Sequence, residues 1–170
     1  MQDFLIDTDI LSVFAKADGL PILCRLFQWQ RLPVTPAVLD EILVPLEYGY
    51  DFPRRILART EILSMVPDEA RDYEALRLQG KLSAADAEMI AICKRRGWLY
   101  VTMDKVALRC AEEFGVRTVD LQALLKAIKR AELLTTDELR ALIERMERED
   151  RTRIPYKEAL LTPEQDRSDR

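Results

Sequence analysis

The sequence contains no histidine among its 170 residues. That removes imidazole chemistry: no Ser-His-Asp or Cys-His nucleophile pair, no imidazole general base and no His-ligated zinc. Cysteine is nearly as scarce. Cys24, Cys93 and Cys110 are an odd number at wide spacing with no CxxC, which excludes a disulfide framework and suits reduced thiols in a core. The chain has 5 glycines, none in GxxxxGK or GxGxxG spacing, so phosphate-loop and dinucleotide sites are disfavoured. No apolar run approaches the roughly 20 residues of a membrane span. Asp3 and Asp7 interrupt what a signal peptide would need as an apolar start. These features point to a cytoplasmic protein with no membrane partner. Excess positive charge is also missing. A net charge of −4 is unlike a bulk nucleic-acid binder, although a local basic face can do that work.

What is present is ordinary in bulk, with 48% hydrophobic and 33% charged residues. This is the make-up of a soluble globular protein with one compact core. Without histidine or paired cysteines, any bound metal takes mostly oxygen ligands, which points to magnesium or manganese.

Short apolar segments alternate with helical patterns along the chain. Strands are expected at Asp3–Ile6, Leu32–Val34, Ile62–Val66, Trp98–Thr102 and Val116–Val119. Helices are expected over Leu11–Phe27 with a break at Gly19-Leu20-Pro21, from Thr35-Pro36, over Asp68–Leu78, Ser83–Arg96, Lys105–Phe114, Leu121–Arg130 and Asp137–Arg148. Glu47–Pro53 reads as a turn or loop. The strands lack strict alternation, which predicts burial on both faces and a parallel sheet between helix layers. One domain over 1–149 is expected, with a core over 1–119 and a helical pair over 120–149. The charged tail, 150–170, carries Pro155 and Pro163 and reads as weakly ordered or docked on a partner.

Two apolar strands end in acids, as Ile6-Asp7-Thr8-Asp9 and Val101-Thr102-Met103-Asp104. In open parallel sheets, sites form at the carboxyl ends of strands, so neighbouring strands would bring Asp7 and Asp104 together. Asp86, Ile90 and Cys93 share one helix face, and Val38, Glu41 and Ile42 share another. Clustered carboxylates repel by roughly 4 kcal/mol per pair at about 4 Å in a screened environment. A divalent cation relieves that repulsion and can support phosphodiester hydrolysis. Each acid also has a simpler role open to it. Asp86 follows Ser83 as in a capping box, Asp104 can cap the next helix, Asp9 suits a helix first turn, and Glu41 lies beside the solvated Asp40.

Four segments, FLIDTDIL, VTPAVLDEIL, LSAADAEMIAICKRRG and WLYVTMDKVALRCAEEFGV, resemble, in this order, those of the PIN-domain ribonuclease family over roughly residues 3–119. The resemblance implies a three-layer α/β/α sandwich with a short parallel sheet, followed here by C-terminal helices. It implies an endoribonuclease dependent on Mg2+ or Mn2+. Its metal-site and catalytic acids fall on Asp7, Glu41, Asp86 and Asp104, with Asp9 and Thr102 in support. Many relatives are toxins of the VapC type held by a small antitoxin, and family members often form homodimers. Asp9 stands where Asn is frequent in the family, and Met103 where a polar residue is common. Phosphates of an RNA substrate would need cations, for which Arg54, Arg55, Lys94, Arg95 and Arg96 are candidates. Trp29, Tyr48, Tyr50 and Trp98 could stack on unpaired bases. Two other readings stay open: a non-catalytic PIN-like module that binds RNA or protein, and a haloacid-dehalogenase-type phosphatase with Asp7 as nucleophile and Asp9 as acid.

Overall fold

Three apolar residues, Phe4–Ile6, form β1, and all three are buried. A computed structural model describes residues 3–162. β1 pairs in parallel with β4 (Leu99–Val101), Phe4 opposite Leu99 and Ile6 opposite Val101. β4 pairs in parallel with β5 (Thr118–Val119). A separate parallel pair joins β2 (Leu32–Val34) to β3 (Thr60–Ile62). Each parallel step needs a crossover, and helices supply it.

After β1 come α1 (Thr8–Lys16) and α2 (Leu20–Phe27). Between β2 and β3 lie α3 (Pro36–Glu47) and α4 (Phe52–Leu57). α5 (Pro67–Leu78) and α6 (Ala84–Arg96) lead into β4, and α7 (Lys105–Glu113) leads to β5. α8 (Leu121–Arg130), α9 (Thr136–Glu149) and α10 (Lys157–Leu161) complete the described chain. With both faces of β1 buried, the sheet is covered by helices on both sides, which gives the α/β/α arrangement expected.

Local chemistry sets the helix starts. Thr35 caps α3 and Pro36 occupies its first turn. The buried carboxylate of Glu88, on α6, accepts the Ala37 N–H at 2.9 Å and so ties α6 to the start of α3. Ser83 caps α6, and Gly97 ends it with φ 68°, in the left-handed region that glycine occupies without strain. All three cysteines are free thiols, with Cys93 and Cys110 buried.

Besides α10, which forms in the charged tail, two elements differ from expectation. Only residues 48–51 form the turn expected over Glu47–Pro53. Pro53 then sits in the first turn of α4, where the N–H that proline lacks is not needed. The second difference is β3, which lies at Thr60–Ile62, upstream of the apolar run at Ile62–Val66. Pairing with β2 fixes it there, and Ile62 is 62% exposed despite its apolar side chain.

The C-terminal helices pack into the same core. A Cβ on Gly19 would stand 2.9 Å from the Phe14 ring and 3.1 Å from Leu142 of α9, so α9 approaches the α1–α2 turn at glycine distance. The first part of the tail docks on its own chain. Ile154, Leu160 and Leu161 are buried, and Glu147 of α9 accepts the Ile154 N–H at 2.9 Å and the Lys157 ammonium at 2.7 Å. Residues 163–170 of that tail lie outside the described residues. None of the described helices is long and apolar enough to cross a membrane.

Candidate active site at the strand ends

Because β1 and β4 are parallel neighbours, the chain leaves both at the same edge. Asp7 continues the ladder, donating its N–H to the Val101 carbonyl at 3.0 Å. Its side chain then caps α1: Oδ1 accepts the Ile10 N–H at 2.8 Å. Oδ2 accepts the Thr102 hydroxyl at 2.6 Å and the Met103 N–H at 3.2 Å. Asp104 caps α7 by accepting the Val106 and Ala107 N–H groups at 2.6 and 2.8 Å. Its own N–H donates to Thr102 Oγ1 at 3.0 Å. The fully buried Thr102 hydroxyl therefore links the two strand-end acids. Capping and site formation are compatible here. The helix start that needs an acceptor also holds a carboxylate rigidly and favours its charge.

The other two acids arrive from helices. Glu41 of α3 accepts the Thr8 hydroxyl at 2.5 Å. Asp86, in the first turn of α6, accepts the Tyr100 hydroxyl at 2.6 Å and the Ser83 hydroxyl at 2.9 Å. Asp7, Glu41 and Asp86 thus each accept a hydroxyl proton. Sequence reasoning marked Thr102 and paired Ser83 with Asp86, but missed Thr8 and Tyr100 as acid partners. Thr8 carried a signal, a hydroxyl flanked by two acids. Tyr100 carried none, since a strand tyrosine reads as core.

The electrostatics are those of crowded, partly buried acids. Burial lifts Asp7 to about 7 against the hydrogen bonds from Thr102 and Ile10, and the charge of Asp9 adds to the rise. Burial also raises Asp9, helped by repulsion from Asp150, Asp86 and Asp104 and opposed by Lys16. Glu41 is raised by burial and by the charges of Asp86 and Asp9, and lowered in part by the Thr8 and Ser83 hydroxyls. Tyr100 is pushed well above its usual value by burial and by Asp86 and Asp7. A groove of about 490 Å³ opens beside these groups. Thr8, Asp9, Lys16, Glu41, Phe52 and Asp150 are among the residues that line it. Asp7 stands behind it, 5% exposed.

The candidate cations divide. Lys94 and Arg95 both bind Asp72 of α5, and Arg96 binds the buried Glu69 at 2.6 Å while lying over the Trp98 ring. They occupy the last turn of α6, whereas Asp86 occupies its first. α5 supplies their counter-charges, at the opposite end of α6 from Asp86. Arg54 pairs loosely with Asp51, and Arg55 pairs with Asp18. Trp29 stacks on Phe4 with ring centres 4.8 Å apart and meets Trp98 at 6.0 Å. Both tryptophans therefore sit at the amino end of β1, away from the acids.

Among the described residues, no three acidic side chains converge as a ready-made metal cage. Magnesium does not require one. It keeps several waters and is held through one or two carboxylates. The donors here are oxygens only, neighbouring acids raise the pKa of Asp7, Asp9 and Glu41, and Lys16 offsets the charge at Asp9. Such a set fits a hard dication. Fold and site together define an α/β protein with an acidic, oxygen-donor centre where its parallel strands end. A family model described as a PIN domain matches residues 3–160. The chain belongs to the PIN-domain family and has its nuclease-type fold. The match runs through α8 and α9 and into α10, so these helices lie within the family's extent. No curated protein matches the chain.

Proposed function

We propose that the protein is a metal-dependent endoribonuclease that hydrolyses RNA phosphodiester bonds in the groove beside Asp9 and Glu41. The reading rests on one observation: the Thr102 hydroxyl ties the Asp7 carboxylate to the Asp104 backbone at adjacent strand ends, while Asp9 feels the charges of Asp104 and Asp86, and Glu41 those of Asp86 and Asp9. Asp7, Glu41, Asp86 and Asp104 would hold Mg2+ or Mn2+, directly or through water. A dication bound there supplies Lewis acidity at the phosphate and lowers the pKa of water.

The chain's own residues do the rest. Thr102, Thr8, Ser83 and Tyr100 orient the carboxylates. Asp9 is exposed at the groove with a raised pKa, which suits it to pass a proton to the leaving oxygen. A VapC-type toxin role in the cytoplasm, with a small antitoxin partner and a homodimeric state, is the more specific form of this proposal.

The deciding test incubates purified protein and its Asp104→Asn variant with structured RNA, in Mn2+ and then in chelator. Cleavage by wild type only, and only with metal, is expected. The non-catalytic reading draws on the lack of a preformed cage among the described residues. RNA binding without cleavage in Mn2+ would decide for it. Burial of Asp7 speaks against the phosphatase reading, since a nucleophile must reach its phosphate.

A further inference from the structure

The groove does not stop at the acids. It runs on into a second hollow of about 570 Å³, and the two share Lys16, Pro45, Phe52 and Asp150. Past that shared wall Tyr50, Arg55 and Arg151 join the lining, and Glu149 is the one acid there that the first groove lacks.

Lys16 marks the junction. Its ammonium lies 2.5 Å from Asp150 Oδ1 and 4.7 Å from the centre of the Phe52 ring. Asp150 ends α9, so the C-terminal helix contributes directly to this wall. Arg151 follows in the left-handed region, φ 51°, as helix ends often do. It is exposed and has no hydrogen bond or ion pair to a described residue. Arg55 rests on Asp18 at 2.7 Å and on the Ala15 carbonyl at 3.3 Å. Both charges of that pair are about half exposed or more, so the pair is weak and readily exchanged. Of the hollow's two acids, Asp150 is held by the part-buried Lys16, and Glu149 pairs with Arg148 at 2.8 Å in a pair as open as that of Arg55, so the cations Lys16, Arg55 and Arg151 outnumber the acids of the lining. Tyr50 is 60% exposed, with its ring centre 6.2 Å from that of Phe52.

Exchangeable cations and an exposed ring in one groove match single-stranded nucleic acid, whose phosphates want charge and whose unpaired bases offer faces to stack. A duplex offers the phosphates without the free faces. We propose that this hollow is a single-stranded RNA subsite, seating the nucleotides next to the scissile bond with phosphates on Arg55 and Arg151 and a base on Tyr50. The inference rests on the ribonuclease reading above and assigns the segment after α9 a part in holding substrate.

The test uses the full chain, an Arg55→Gln/Arg151→Gln double variant and Tyr50→Ala, all surface positions that spare the core. Two Mn2+-supported reactions are compared: cleavage of an unstructured oligoribonucleotide, and hydrolysis of bis(p-nitrophenyl) phosphate, which is too short to reach the hollow. Anisotropy of the labelled oligoribonucleotide in chelator reads binding alone. The double variant is expected to raise KM for RNA about tenfold with little change in kcat. Its slope of log K against log salt should be shallower by about 1.4, roughly 0.7 for each cation removed. Tyr50→Ala is expected to weaken binding at least about fivefold. Hydrolysis of the small diester stays at the wild-type rate. Unchanged RNA binding, or equal losses on both substrates, overturns the subsite. So does competition by polyglutamate as effective as that by RNA, which would mark an acidic-protein site. If wild type cleaves neither substrate, the ribonuclease reading fails, and the anisotropy series still decides the subsite by whether the variants lose RNA affinity.

Discussion

Asp7→Asn is expected to abolish RNA cleavage, lowering kcat/KM by roughly a thousandfold or more, as removal of an essential member of a catalytic set does. The expectation follows from what Asn keeps and what it loses. The side chain keeps its shape and can still accept the Ile10 N–H, so the cap on α1 survives. It loses the negative charge and the second acceptor that receives the Thr102 hydroxyl and the Met103 N–H. A purely structural Asp7 would show its loss as lowered stability, with activity per folded molecule near normal. A metal-holding Asp7 shows the reverse, a folded and inactive protein. Single-turnover cleavage alongside thermal unfolding of the same sample separates the two.

The second large effect is on stability, and it needs no substrate. Without metal, the protein should become less stable as pH rises from 5 to 7. Asp7 ionises near 3.8 when unfolded but only at about 7 when folded. Between those values the folded state binds the extra proton, so the stability it contributes is lost as pH climbs through the folded pKa. Asp9 and Glu41 are raised too and act in the same direction. Acids held low by ion pairs or capping bonds, such as Glu69, Asp72, Glu138 and Glu147, are ionised in both states above pH 5 and add no slope there. Asp7 alone accounts for about 2 kcal/mol across that window, from the linkage relation and its cited shift. Urea unfolding at pH 5, 6 and 7 in chelator measures it. Added Mg2+ should flatten the slope, because a bound dication favours the ionised carboxylates. In Asp7→Asn most of the slope disappears.

How far the sequence foretold this site depends on how local each signal was. Asp7 and Asp104 were legible because buried parallel strands read as short apolar runs, and an acid at the end of such a run stands out. Both cap helices, and Thr102 ties the Asp7 carboxylate to the Asp104 backbone, so the capping role and the proposed site role fall on the same residues. Glu41 and Asp86 were legible through helix faces whose apolar members, Val38, Ile42, Ile90 and Cys93, are buried. The partners of the cations were not legible. Arg96 finds Glu69 and Arg95 finds Asp72 only through the packing of α5 on α6, which no single segment encodes. The contact between Lys16 and Asp150 spans 134 positions, and nothing near either residue announces it. α4 was hidden because Pro53 reads as a breaker and acts as a starter.

One measurement tests the central claim most directly: Mn2+ binding, read by paramagnetic resonance of the free ion, in wild type and in Asp7→Asn, Glu41→Gln, Asp86→Asn and Asp104→Asn. The four acids should act as one centre, so wild type binds Mn2+ and each single change weakens that binding by at least about tenfold, on the scale of losses seen for groups that tune a metal site. Equal Mn2+ binding by wild type and all four variants would contradict it.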